Sequence, residues 1–302
     1  MVHGGGFTML SRSDINPKHI QYLLDAGFLP VSVDYRLCPE VNILDGPMAD
    51  VCSALHWART ELPSIRRLRY PTLAIDGSKI VVVGWSTGGH LAMTLAWTAP
   101  EHGLEPPNAI LAFYCPTDFE DTCWTRPNFP SGTAAAAVAE TYDLLEGVYD
   151  APITSYNPPT NQHPVGGWLS LADPRSRIVL DMNWKAHFLP IVLNGLPSKR
   201  RSESNTLSFD MPARERIVEI SPYAQIQKGK YKTPTFLVHG TVDDLIPWEQ
   251  SERLCKELAK NNVVSEFGVV EGARHLFDLA GENVGSEVVK RGIEFLVRSV
   301  NG

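Results

Sequence analysis

Cysteine is scarce in this sequence: Cys38, Cys52, Cys115, Cys123 and Cys255 make five, an odd number without a Cys-x-x-Cys pair. That excludes a disulfide scaffold and fits reduced, mostly buried thiols in a cytoplasmic protein. Metal-ligand spacings and Gly-x-Gly-x-x-Gly are also missing, so neither a metal nor a cofactor is expected. Positive charge is thin. The formal net charge is −7, Lys199-Arg200-Arg201 is the main basic run, and Arg66, Arg67 and Arg69 read as a solvated face. A nucleic-acid partner is therefore not expected, because phosphate binding needs clustered cations. No apolar run approaches a membrane span, the N-terminus lacks signal-peptide regions, and no Asn-x-Ser/Thr acceptor occurs. No internal repeat is visible.

What stands out is Ile80-Val81-Val82-Val83-Gly84-Trp85-Ser86-Thr87-Gly88-Gly89-His90. A β-branched run enters Gly-x-Ser-x-Gly and a helix-forming stretch follows from Leu91 to Trp97, the setting of a nucleophile elbow. The turn leaves almost no side-chain room two residues either side of the serine. Gly84 and Gly88 meet that demand, and Gly89 lets the helix lie close to the strand. Ser86 is the expected nucleophile; the competing reading is a serine that only caps the helix.

The 302 residues suffice for one α/β domain with an insertion, or for two smaller domains. Asn16, Pro17, apolar Ile20, Leu23 and Leu24, and Gly27 predict a helix from about 17 to 26. Residues 28–35 read as a strand, and 47–62 as a helix with Pro47 in its first turn and Pro63 past its end. A loop over 63–78, the elbow strand and helix, and a strand over 109–114 follow. Regular alternation then stops from Cys115 to about Lys232, a stretch rich in proline and in scattered aromatics such as Trp124, Tyr142, Tyr149 and Trp168. Apolar patches near 134–146 and 178–194 suggest helices, and Ser198–Ser208 reads as mobile. Strands at 235–238 and 266–270 and helices at 247–260 and 285–299 complete the pattern. Strand–helix alternation implies a mostly parallel sheet with helices on both faces. The expected division is a core of 1–114 and 233–302 and a lid or insertion of 115–232.

A serine hydroxyl needs a base, and the base an orienting acid. Asp243 lies just past the strand at 235–238, with Asp244 a close rival and Asp118 a weaker one; either neighbouring aspartate could instead cap the following helix. His275, directly after the last core strand, is the expected base, whereas His90 and His239 read as packing or hydrogen-bonding residues. For the oxyanion, the bare amides of Gly5 and Gly6 in His3-Gly4-Gly5-Gly6, with that of Thr87, are the expected donors. Phe7, Trp85 and Trp124 are the expected substrate-binding aromatics, and the aromatic content of the insertion suggests a flat apolar substrate.

These residues resemble the hormone-sensitive-lipase branch of the α/β-hydrolases. His3-Gly4-Gly5-Gly6, Asp34-Tyr35-Arg36-Leu37-Cys38-Pro39-Glu40, the elbow, Asp243 and His275 match in order. Trp85 and Thr87 stand where that branch usually has aspartate and alanine. A narrower resemblance covers Leu29–Val41, Gly84–Gly89 and Phe113–Asp118: they look like the C-terminal thioesterase domains of fungal non-reducing polyketide synthases that carry a methyltransferase domain. This implies release of an aromatic polyketide from an acyl-carrier-protein thioester to water or another hydroxyl. The alternatives are a free-standing carboxylesterase on small esters, a non-catalytic binding module, and an inactive fragment.

In that fold the strand entering His-Gly-Gly-Gly lies between the strand at 28–35 and the elbow strand. Only Met1 and Val2 precede His3, whereas the resemblance implies several earlier strands, about 60 residues. The expectation is thus an α/β-hydrolase lacking its N-terminal strands: a truncated fragment, a misplaced start, or part of a larger synthase.

Overall fold

The computed structural model describes residues 1–69, 72, 74–129, 153–158, 169, 173–196, 209–279 and 285–301, with the side chains of 66–69 excluded. The expected helix at 134–146, the stretch 198–208, Tyr142, Tyr149, Trp168 and Lys199-Arg200-Arg201 lie outside what is described, as do the side chains of Arg66, Arg67 and Arg69.

Four strands, β1 (Val81–Trp85), β2 (Ala109–Phe113), β3 (Thr235–Gly240) and β4 (Ser265–Val270), form a parallel sheet in the order β1-β2-β3-β4. Both faces are covered, as parallel sheets require. The period-2 alternation sorts the strand residues cleanly. Val82, Ile110, Ala112 and Leu237 face a core with α2 (Ala49–Thr60), α4 (Thr87–Glu101) and α9 (Glu249–Lys260). Val83, Trp85, Leu111, Phe113, Phe236 and Val238 face the other core with α1 (Pro17–Asp25) and α10 (Ser286–Asn301). Between β2 and β3 the described helices are α5 (Pro174–Trp184), α6 (Phe188–Asn194), α7 (Arg214–Ile220) and α8 (Pro222–Gln227). The apolar patch at 178–194 is thus two helices, broken at Ala186, which has φ +62°.

Local signals explain most boundaries. The Asn16 side chain accepts from the Lys18 amide and Pro17 opens α1, while Gly27 beyond its end takes φ +84°. The expected loop from 63 is instead helical at first: α3 spans Leu62–Arg69, with Pro63 in its first turn. Proline is tolerated there because that amide has no intrahelical acceptor. Pro47 falls in a short π-helical segment, Leu44–Met48, that leads into α2.

The expected strand at 28–35 is not formed. It makes one parallel bridge, Val33 to Val2, and Val2 bridges Gly84 on its other side. The Val2 amide donates to Val83 O at 2.9 Å, Trp85 N donates to Val2 O at 3.3 Å, and Val33 N to Met1 O at 3.2 Å. One residue therefore fills the position beside β1, and a strand needs a longer partner to extend its ladder.

Candidate active site

The elbow is built by exclusion. A Cβ on Gly84 would lie 2.1 Å from Gly88 O, and one on Gly88 would lie 2.3 Å from both Val2 O and His3 O. One on Gly89 would meet the Cys115 Cβ at 2.8 Å. Ser86, between β1 and α4, takes φ +52° and ψ −127°, a conformation costly for a side-chain-bearing residue. Its amide donates to Phe113 O at 2.9 Å, which holds the bend against β2.

Ser86 Oγ lies 3.0 Å from His275 Nε2, and His275 Nδ1 lies 2.7 Å from Asp243 Oδ2. An ionised carboxylate only accepts, so Nδ1 carries the proton and Nε2 is left to accept from the serine hydroxyl. The His275 side chain is 6% exposed and that of Asp243 0%. Asp243 Oδ1 accepts from the amides of Leu245 and Ile246, each at 2.9 Å. Burial pushes its pKa up, but the attraction of His275 and the hydrogen bonds from His239 and His275 outweigh that and hold it well below the usual range. Asp244 points away, 61% exposed and 3.7 Å from Arg274. Asp118 caps its own turn by accepting from Glu120 N.

The glycine run is pressed against the elbow: a Cβ on Gly4 would lie 2.9 Å from Trp85 O. Gly5 and Gly6 take φ +100° and +64°, and Phe7 N donates to Thr87 Oγ1 at 3.2 Å. Beneath the run, the Tyr35 hydroxyl lies 3.1 Å from His3 O and 3.0 Å from Gly4 O, and the Tyr35 ring stacks on His3. Arg175 of α5 donates to Thr8 O at 2.7 Å and pairs with Glu40, both side chains being almost fully buried. The roles of Tyr35 and Glu40 were readable only as members of a motif, and nothing in the sequence singled out Arg175.

The three expected substrate-binding aromatics do not open onto this site. Strand alternation turns the Trp85 indole to the opposite face of the sheet from α4. There it stacks on Phe113 and donates to His19 Nδ1 at 3.1 Å. Phe7 is fully buried against His90 and Phe188. Trp124 is buried against Phe119 and Phe188, with its indole N–H donated to Asp118 O at 2.7 Å. His90, also in this cluster, bonds Ile220 O through Nε2.

Two neighbours of His275 went unnoticed in the sequence. The Tyr114 ring meets its imidazole edge-on at 4.7 Å, and the Tyr114 hydroxyl donates to Asp278 Oδ1 at 2.6 Å. Burial raises the pKa of both Tyr114 and Asp278. Among the described residues no group of three or more His, Cys, Asp or Glu could hold a metal, and no helix is long and apolar enough to cross a membrane.

Residues 1–166 match the family described as alpha/beta hydrolase fold, and residues 202–302 match the prolyl oligopeptidase family. The chain belongs to the α/β-hydrolase fold family and is a hydrolase. It is 53% identical over 302 residues to the non-reducing polyketide synthase adrD of Penicillium rubens, covering 98% of this chain and 12% of the synthase. It is 52% identical over 308 residues to the 5-methylorsellinic acid synthase of Aspergillus terreus, covering 99% of this chain and 12% of that protein. The chain thus spans about an eighth of the length of these relatives. Among solved structures, a bacterial heroin esterase superposes with a TM-score of 0.60 at 19% identity, over 99% of this chain and 74% of the esterase. An α/β-hydrolase superfamily protein of Enterococcus faecalis does so with a TM-score of 0.60 at 15% identity, over 98% and 88%. At these identities the likeness concerns the fold.

Proposed function

We propose that this hydrolase releases an aromatic polyketide acyl group from an acyl-carrier-protein thioester, with Ser86 as nucleophile, His275 as general base and Asp243 as the orienting acid. The contact chain Ser86–His275–Asp243 carries the reading. Ser86 Oγ attacks the thioester carbonyl as its proton passes to His275 Nε2. The tetrahedral oxyanion is stabilised by the amides of Gly5, Gly6 and Thr87, a role supported by the approach of the glycine run to the elbow. The intermediate collapses with loss of the carrier's thiolate, which takes the proton from His275. Water or a second hydroxyl, deprotonated by His275, then attacks the acyl-serine and frees Ser86.

Similarity to fungal polyketide synthases supports the acyl class and a place within a larger synthase. In this reading the segment 115–232 serves as lid over a core of 1–114 and 233–302, with α5 seated beside the glycine run, where a Cβ on Gly6 would meet Val179 at 3.3 Å. The free thiols fit a cytoplasmic setting. A second reading is a carboxylesterase on small esters, which the same Ser86–His275–Asp243 contacts would serve. Turnover of an aromatic acyl thioester and a p-nitrophenyl ester separates the two. The thioester is expected to be the better substrate, with both activities lost in Ser86→Ala; preference for the small ester favours the second reading.

A further inference from the structure

Asp243 is held from two sides, and only one of them is His275. The oxygen that receives His275 Nδ1, Oδ2, also lies 3.1 Å from His239 Nε2. His239 is the fifth residue of β3, fully buried, and its Nε2 also lies 3.1 Å from Ile246 O. Both partners of Nε2 only accept, so that nitrogen carries the proton. The opposite nitrogen, Nδ1, lies 2.7 Å from the hydroxyl of Ser251 on α9, also fully buried, which can rotate to donate to it. The arrangement fixes the ring with its Nε2 toward Asp243 and its Nδ1 toward Ser251. A run of contacts therefore extends from α9 through β3 to the elbow: Ser251, His239, Asp243, His275, Ser86.

We propose that His239 is a positioning residue for the Asp243 carboxylate, and that by sharing Oδ2 it sets how strongly Asp243 holds the His275 imidazole. This rests on the triad reading above. A carboxylate whose Oδ1 is fixed by two backbone amides could still tilt about its Cβ–Cγ bond; the second imidazole on Oδ2 removes that freedom. A second donor on Oδ2 also draws negative charge away from the bond to His275. Among the described residues, few groups face this run. Ser86, Asp243, Tyr114 and, through the Tyr114 hydroxyl, Asp278 face His275, while Ser251, Asp243 and the Ile246 carbonyl face His239.

The test uses the whole chain and a serine-reactive fluorophosphonate, with circular dichroism as the check on folding. His239→Met removes the donor at similar length, His239→Gln keeps an N–H near the place of Nε2, and Ser251→Ala removes the hydroxyl that orders the ring. In His239→Met the labelling rate is expected to fall about 10- to 100-fold, the cost of a lost hydrogen bond to a charged group. The acidic limb of its pH–rate profile is expected to move upward, since Oδ2 is then left to His275 alone. His239→Gln restores most of the rate and the limb, and Ser251→Ala moves both in the direction of His239→Met by about 2- to 5-fold in rate. A folded His239→Met with the wild-type limb overturns the proposal. Should that variant not fold, a wild-type limb in Ser251→Ala overturns it instead. Absence of Ser86-dependent labelling in the wild type would count against the triad reading itself, which keeps the two failures distinct.

Discussion

Two adjacent carboxylates, Asp243 and Asp244, meet very different surroundings. Asp243 has a fully buried side chain with four donors around its oxygens, two amides and two imidazoles. Asp244 is solvated and 3.7 Å from Arg274. Asp243→Asn is therefore expected to cut turnover by about 10,000-fold, the cost of presenting the wrong imidazole tautomer in serine-protease triads. Asp244→Asn should remain within about twofold, since exposed ion pairs contribute roughly 0–1 kcal/mol. Equal losses in a steady-state comparison would contradict the assignment. A buried histidine makes a second prediction at this scale. Burial lowers His90 to about 4, partly offset by its bond to Ile220 O. The unfolded ring binds a proton below its ordinary value of 6.5, whereas the folded ring stays neutral until about 4. The stability it contributes is thus complete above 6.5 and drains away as pH falls toward 4. Between pH 7 and pH 5 this group should cost about 2 kcal/mol in urea unfolding. His90→Gln, which can keep a donor to Ile220, should show a shallower slope; an unchanged slope would refute the account.

At the level of elements, the strands and helices of the sheet were legible because their signals are local. A β-branched run marked β1 and a short apolar run marked β3, Asn16-Pro17 opened α1, and Gly84 and Gly88 stood at the places where a Cβ would strike backbone. Three features were not legible. The stretch 28–35 has the composition of a strand, but strand formation depends on a partner, and Val2 alone bridges it. Trp85 sits next to Ser86 in sequence, yet alternation along β1 sends its ring to the face away from α4, so adjacency in the chain misled. Arg175 could not be found because its value lies in a contact with Glu40, 135 residues away. That buried pair fastens α5 to the segment after the glycine run. Arg175→Met is expected to destabilise the fold by about 3–5 kcal/mol by leaving Glu40 buried alone, and Arg175→Met with Glu40→Leu to recover most of it. Thermal unfolding of the wild type, each single variant and the double variant checks this; additive losses would mean the pair is not coupled.

For the molecule as a whole, the sheet order places β1, β2, β3 and β4 side by side, so the loops after β1, β3 and β4 share one edge. Ser86, Asp243 and His275 come from those loops and meet there although 189 residues separate the serine from the histidine. Topology performs the assembly, and the glycine run lies against the same edge, where Phe7 N donates to Thr87 Oγ1. The central claim is that Ser86 carries the acyl group between thioester and acceptor. The most direct measurement is intact-protein and peptide mass spectrometry after brief mixing with an aromatic acyl thioester. The account predicts an adduct of the acyl mass on the Ser86 peptide, absent in Ser86→Ala. Thioester cleavage at the wild-type rate in Ser86→Ala, with no acyl adduct on any form of the protein, would contradict it.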